Sequence, residues 1–448
     1  MRLSTTSFKR TINGRGAPRA LRWRFNDAWV FALADQAICS GANFSSGIIV
    51  ARNCAPAQFG TYLLAFSLLL VLIDIQAALI WTPYTIKAPV LGPDERVFYT
   101  GSAAVHQVLL GIAVSALLAA SAVTLGFTRD PNNYAGIAKC LALAAPAIIF
   151  REGARRISFA LLRFRTAFFT DCFISVAQVL VLLYLASSRA ISGTAALNVS
   201  GAAAAIGLSL WLVSMRKEIR VGRSDVRSHF AANWSTGRWI FASGVVWTLL
   251  TNVYPWILSV LKSNATAAEW GACIGITASC NPLLLGLQNY IGPRIAHAYA
   301  KGGTRGLSTA SIAHTIRLCA ALLPFTVVLL LAGGAIVGYV YGSSYGDNGV
   351  IVAILGLNVL AAAGAFAPSR ALFSLGKARL DAMLNLVALG LTLSVSVMLI
   401  KLYGMIGAAC GLTSINLCLA ILRHALVLRH GTGNTEAVEC AQESVLTA

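Results

Sequence analysis

Two carboxylates stand where an apolar sequence gives them little company. Asp35 lies about seven residues into the first long apolar run, and Asp74 is deep in the second. At 1.5 Å of rise per helical residue they are roughly 10 and 15 Å from the nearer end of their runs. Two carboxylates at one depth repel each other, which suits exchange of a proton or cation; alternatively each pairs with a base near the surface. Asp35, Cys39, Asn43 and Ser46 or Gly47 recur at helical spacing, so one face is small and polar, fit for a cavity wall or for close helix packing. Thr248, Asn252 and Ser259 form a second stripe, and Thr277, Asn281 and Gln288, with Asn289 beside it, form a third. Such amides hydrogen-bond sugars and other neutral polar ligands. Arg155, Arg156, Arg294, Arg317 and Arg370 supply planar guanidiniums that bind phosphate or carboxylate through paired hydrogen bonds. No Ser/His/Asp set, phosphate loop or metal-ligand spacing is present. The sequence therefore points to no enzyme, no cofactor and no metal; His106 and His314 read as packed, hydrogen-bonded residues.

The elements that must carry these residues follow from composition. The 448 residues are 57% hydrophobic and 11% charged, with mean hydropathy +0.73. A soluble domain has about 25% charged residues, so this chain lacks the polar surface for water. Its apolar runs of about 20 residues match a bilayer core of about 30 Å, whereas barrel strands alternate over about 10. The prediction is an all-α polytopic membrane protein. Twelve spans are expected, over 28–51, 58–84, 101–126, 134–154, 166–187, 193–214, 239–261, 270–293, 312–340, 348–369, 380–402 and 404–428. Pro282, inside the eighth, is expected to free a backbone carbonyl. The ten cysteines form no CxxC or Cys/His cluster and read as small buried residues.

The connections alternate in charge. Tail residues 1–27, 151–165, 215–238, 294–317 and 370–379 are arginine-rich, while the intervening connections hold Arg52, Arg129, Lys139, Arg189, Lys262 and Lys401. In all, 29 Lys/Arg fall on one side and 6 on the other. Positive loops stay inside, so both termini are expected in the cytoplasm of a multi-pass plasma-membrane (inner-membrane) protein. The net charge of +19 is then explained by topology and contact with anionic membrane lipids, and nucleic-acid binding is excluded.

The chain also repeats itself. Arg156-Ile-Ser-Phe159-Ala-Leu-Leu-Arg163-Phe-Arg165 recurs 214 positions later as Arg370-Ala-Leu-Phe373-Ser-Leu-Gly-Lys377-Ala-Arg379. Phe59-Gly60 recurs as Trp270-Gly271 at offset 211, and Pro83 as Pro293 at offset 210. Two halves with an even number of spans each have the same orientation, related by an axis along the membrane normal, with a substrate site between them. The expected layout is a basic tail (1–27), a six-helix lobe (28–214), a basic linker (215–238), a second six-helix lobe (239–428) and a C-terminal tail (429–448).

Three stretches carry a resemblance. They are Ala51-Arg52 followed by Pro56-Ala-Gln-Phe59-Gly60-Thr-Tyr62; Arg155-Arg156 with Phe159 and Arg163; and Asn281-Pro282-Leu with Gly286, Asn289 and Pro293-Arg294. Over nearly its whole length the chain resembles the MOP exporter superfamily, and within it the Wzx-type polysaccharide and O-antigen flippases. That resemblance implies a lipid-linked oligosaccharide substrate, with a polysaccharide polymerase and glycosyltransferases as partners. It makes Arg155, Arg156, Arg294, Arg317 and Arg370 diphosphate contacts and Asn43, Asn252, Asn281, Gln288 and Asn289 sugar contacts. The multidrug branch of the same superfamily has a similar carboxylate in span one, which makes Asp35, with Asp74, the ion-coupling candidates under a cation-coupled exporter reading. A third reading is a scaffold recruiting glycosyltransferases through its basic face.

Overall fold

A chain this apolar has to satisfy its backbone within its own segments, and among the described residues it does so with helices alone. The computed structural model describes residues 19–127, 130 and 133–446; the side chains of 19–29 and 431–446, and of scattered positions that include Asn289 and Pro293, lie outside the description. The first half comprises α1 (Arg19–Asn53), α2 (Pro56–Gln76), α3 (Thr82–Lys87), α4 (Pro93–Gly126), α5 (Tyr134–Ala160), α6 (Phe164–Ser187) and α7 (Gly193–Met215). The second comprises α8 (Arg223–Asn252), α9 (Tyr254–Leu261), α10 (Asn264–Ala278), α11 (Asn281–Tyr341), α12 (Gly349–Ser374), α13 (Ala378–Leu391) and α14 (Val397–Leu446). Wide π-type turns at Ala77–Trp81 and Thr392–Ser396 join α2 to α3 and α13 to α14.

Eight helical stretches among the described residues are long and apolar enough to cross a membrane. Two are folded at glycine. Gly303 (φ 56°) breaks α11, and the chain returns so closely that a Cβ on Gly306 would lie 2.8 Å from the Ala298 carbonyl oxygen. Gly404 (φ 60°) breaks α14, and Gly407 packs back on Leu399. The seventh and eighth expected spans are divided too, at Val253 between α8 and α9 and at Ser279–Cys280 between α10 and α11. Both divisions place a proline, Pro255 or Pro282, in the first turn of the following helix. This corrects the expectation for Pro282: at a helix start the missing N–H has no intrahelical partner to lose, so no carbonyl is freed. The polar linker also differs from a plain loop, since α8 begins inside it at Arg223.

The repeated phrase is a repeated turn. Leu162 adopts φ 57° and Gly376, 214 positions later, φ 70°. In the first copy the amides of Leu161, Leu162 and Arg163 donate to the carbonyls of Ile157 (2.9 Å), Phe159 (3.1 Å) and Ser158 (2.7 Å). In the second, Leu375, Gly376 and Lys377 donate to Ala371 (3.0 Å), Phe373 (3.0 Å) and Leu372 (2.9 Å). Every donor and acceptor moves by the same offset. Each turn ends its helix with a left-handed residue and closes the last carbonyls, the first at the cost of a leucine where glycine fits.

The halves meet along α2 and α10. Gly60 lies so close that a Cβ would stand 1.8 Å from the Asn264 carbonyl oxygen, a contact only glycine permits. Beside it Asn264 Nδ2 donates to Thr61 Oγ1 (3.4 Å), Trp256 Nε1 to Ser67 Oγ (2.7 Å), and Tyr134 Oη bonds Ser259 Oγ (2.8 Å). Phe44, Phe59, Tyr62, Tyr341 and Tyr345 form one aromatic cluster there, and Arg52 donates to the Val340 carbonyl (2.8 Å) and to that of Tyr339. All of these lie at the end of the bundle opposite the arginine-rich connections. The halves thus meet away from the basic end, and at the basic end α8 also packs on α2, α3 and α4 of the first half.

The duplicated turn predicts opposite responses. A left-handed L-residue costs about 1–2 kcal/mol, of which glycine's unfolded freedom returns roughly 0.5–1. Leu162→Gly should raise the thermal unfolding midpoint in detergent and Gly376→Leu should lower it, each by the equivalent of about 1 kcal/mol. Shifts of the same sign would show that the two turns do not share a geometry.

Candidate functional site

The first half gathers its charge at the basic end of α1, α5 and α6. Asp35, 1% exposed, faces Asp171, 2% exposed; ligand atoms of Asp35, Cys39 and Asp171 lie within 4.8 Å of one another. Arg151 Nε donates to Asp171 Oδ1 at 2.8 Å and Arg151 Nη2 reaches Cys39 Sγ at 3.5 Å. Arg155 Nη1 lies 3.4 Å from Asp35 Oδ2 and from Gln36 Oε1, and Nη2 is 3.1 Å from Glu152. Arg156 pairs with Glu152 one helical turn away, also at 3.1 Å. Two buried acids are therefore held by two guanidiniums on a neighbouring helix. Asp35 Oδ1 and Asp171 Oδ2 remain buried without a hydrogen-bond partner, so a proton or small cation is the species that would complete them.

The second half repeats the theme with other residues. Arg423 on α14 donates to Asp381 Oδ1 (2.8 Å) and Asn385 Oδ1 (2.9 Å) on α13, and both charged side chains are nearly inaccessible, at 4% and 6%. Arg370 stands over the rings of Phe366 (5.0 Å) and Phe373 (5.4 Å) with its charge exposed. Such stacking holds a guanidinium in place without neutralising it. Arg294 and Arg317 are exposed as well, and both are near enough to buried His314 to act on its charge. Arg317 and His314 line a groove of about 540 Å³ with Gly302, Arg305 and Thr309.

The structure thus sorts the residues singled out from sequence. Arg155 and Arg156 share the acidic partner Glu152, and Arg155 also meets Asp35; Arg294 and Arg317 are both within electrostatic reach of His314, and Arg370 of Arg423. The carboxylate beside Asp35 is Asp171, while Asp74, exposed, accepts from Thr248 Oγ1 at 2.5 Å. Asn43 and Asn281 are exposed, and Asn252 and Gln288 half-buried. The Asn289 side chain lies outside the described residues. Arg151, Asp171, Asp381 and Arg423 were not singled out from sequence as site residues. Their signal was present as charge within or beside apolar runs, but pairing across helices is invisible in a linear pattern.

No protein-family model matches the chain, and no curated protein sequence matches it. Solved structures do. One is the inward-facing conformation of a multidrug resistance MATE family transporter of the MOP superfamily, with TM-score 0.69 and 15% identity over 91% of this chain and 99% of that one. The outward-facing conformation of such a transporter aligns with TM-score 0.62 and 14% identity over 94% and 98%. A MOP superfamily transporter from Pyrococcus furiosus, described as having a binding pocket of reversed polarity that suggests a different function, aligns with TM-score 0.63 and 15% identity over 93% and 97%. The chain therefore has the fold of MOP-superfamily transporters along nearly its whole length.

Removing one member of a buried ion pair strands the other, at about 3–5 kcal/mol, whereas the half-buried Arg156–Glu152 pair lies one turn apart on a helix and leaves Glu152 a second arginine, so it contributes about 0.3–0.5 kcal/mol. Arg423→Ala should lower the unfolding midpoint strongly, and adding Asp381→Asn should recover part of the loss. Arg156→Ala should change it little. Equal effects of Arg423→Ala and Arg156→Ala would count against a structural role for the buried pair.

Proposed function

We propose that the chain moves a polyprenyl-diphosphate-linked oligosaccharide across the plasma (inner) membrane for surface or exopolysaccharide synthesis. It does so by alternating access between its two six-helix halves, with the basic end and both termini in the cytoplasm. One observation carries this reading: inside the spans at the basic end three acids are buried against arginines, while other arginines of that end are accessible. Asp35, Asp171 and Asp381 are between 1% and 4% exposed, each against an arginine, while Arg294, Arg317 and Arg370 are exposed. A ligand arriving there meets positive charge, which favours a diphosphate over a cationic drug.

On this reading Arg294, Arg317 and Arg370 hold the diphosphate, with Arg155 and Arg156 as secondary contacts because Glu152 already shares their charge. Asn43, Asn252, Asn281, Gln288 and Asn289 contact sugar as it passes between the halves. The lipid chain stays in the bilayer, and polymerase and glycosyltransferases act on either side of the step. The contacts of Arg52, Phe59 and Asn264 are those that break when the substrate is released outside. Support for a second reading, a cation-coupled exporter, comes from the unpartnered oxygens of Asp35 and Asp171. A proton or cation bound there can equally drive the flippase cycle.

Each charge-assisted contact to phosphate contributes about 1.5–3 kcal/mol, so Arg294→Ala or Arg317→Ala should reduce export roughly ten- to a hundredfold at unchanged membrane level. Lysine at either position should retain part of the activity. Deleting the gene should accumulate lipid-linked oligosaccharide on the cytoplasmic leaflet and remove surface polysaccharide. Normal export in both alanine variants would reject the assignment; unchanged polysaccharide with altered drug tolerance in the deletion would favour the exporter.

A further inference from the structure

In the first half, the surface at the start of the third span is covered by the segment that follows the sixth. Arg220 N donates to the Val97 carbonyl (3.2 Å), Tyr99 Oη to Asn233 Oδ1 (2.6 Å), and Ser102 Oγ meets His229 Nδ1 (2.9 Å). His106 Nε2 bonds the Val226 carbonyl (2.9 Å), and Gly101 is pressed so near Arg220 that a Cβ would lie 1.9 Å from its carbonyl oxygen.

The repeat carries this surface to the second half, where among the described residues nothing covers it. The offset of 211 places Gly92, before α4, on Gly303, where α11 restarts, and places Tyr99, Ser102 and His106 on Ala310, Ala313 and Arg317. These three residues line the open groove of about 540 Å³. The segment that follows the twelfth span, as the linker follows the sixth, is 431–446. We propose that residues 431–446 dock in this groove as an acidic helix and cover Arg305 and Arg317.

Charge supports this occupant. Glu436, Glu439 and Glu443 fall at helical i, i+3, i+7 spacing, and no Lys or Arg occurs between 431 and 446; the groove offers Arg305 and Arg317. Position supports it too. Thr315 Oγ1 and His424 Nε2 are 3.3 Å apart, which fixes α14 against α11. Seven residues further, at 1.5 Å each, Gly431 lies roughly 10 Å beyond, towards the level of the Gly302–Gly303 turn. In the structure α14 runs on to Leu446 and the groove stands open. Docking requires the helix to break at Gly431 and Gly433, residues that hold a helix poorly, as the chain breaks between α7 and α8 over Arg216–Gly222. The docked segment would compete with anionic substrate for Arg317; that consequence rests on the flippase reading, while the docking does not.

The offset of 214 that holds beyond Arg156 sets Val226 on Cys440, and Val226 meets His106, the counterpart of Arg317 one turn from Ala313, which supplies the test. In the full-length chain in native membranes, Ala313→Cys should form a disulfide with Cys440 under mild oxidation, identified by mass spectrometry. Thr309→Cys serves as a second probe where the first variant fails to accumulate. Reversing Glu436, Glu439 and Glu443 to Lys should lower the yield roughly tenfold, the effect of losing one charge-assisted contact, and raised salt should act in the same direction. Absence of both links would overturn the proposal and leave the groove to lipid headgroups, and a link of undiminished yield after charge reversal would overturn it equally. Neither outcome bears on whether oligosaccharide is transported.

Discussion

Everything at the basic end depends on how carboxylates are kept inside an apolar bundle. An ionised acid away from water is costly unless a counter-charge meets it, and the chain meets each with an arginine from another helix: Arg151 on Asp171, Arg155 on Asp35, Arg423 on Asp381. These pairs cross-link α1, α5 and α6 in one half and α13 and α14 in the other. They also use up negative charge. With these three acids consumed internally, Arg294, Arg317 and Arg370 are left to put positive charge on the accessible surface there.

The duplication shows what the fold requires and what it leaves free. The turn at Leu162 and Gly376 keeps its dihedral sign and all three hydrogen bonds, because a helix arriving there has to reverse within three residues. The ion pairs keep only their principle. Asp171 aligns with Asn385, and Asp381 with Ala167; the arginine comes from α5 in one half and from α14 in the other. An acid tied to an arginine on a neighbouring helix serves either geometry, so its position could drift while the turn could not.

How much of this was legible in the sequence follows the same division. Apolar runs, alternating charge and repeat offset are one-dimensional; the runs anticipated the helices, and the phrase repeated at offset 214 proves to be one turn built twice. Breaks within a span were harder: Pro282 reads the same in a helix interior as in a first turn, and only the course of Ser279–Cys280 decides. Site residues were the least legible. Asp35 stood out as a charge in an apolar run, but the choice of Asp171 over Asp74 as its neighbour depends on α6 packing on α1, a pairing no local pattern encodes. The exposed Arg317 and the buried Arg423 look alike until burial separates them.

The closed end has its own electrostatic logic. A helix leaves its last carbonyls without intrahelical donors and carries partial negative charge there. Tyr339 and Val340 are in the last turn of α11, and Arg52, one of few bases at that end, donates to both carbonyls. The first half thus caps a helix of the second. The aromatic cluster and the glycine contact at Gly60 pack beside this bond, which itself faces solvent. Arg52 and Tyr339 already face solvent, so on loss of this contact the arginine and the carbonyls each recover hydrogen bonds from water. A contact made mainly of exchangeable hydrogen bonds and stacked rings can open at modest cost, whereas the buried ion pairs at the basic end cannot. The buried ion pairs thus lie within halves, while at this end exchangeable hydrogen bonds and stacked rings join one half to the other.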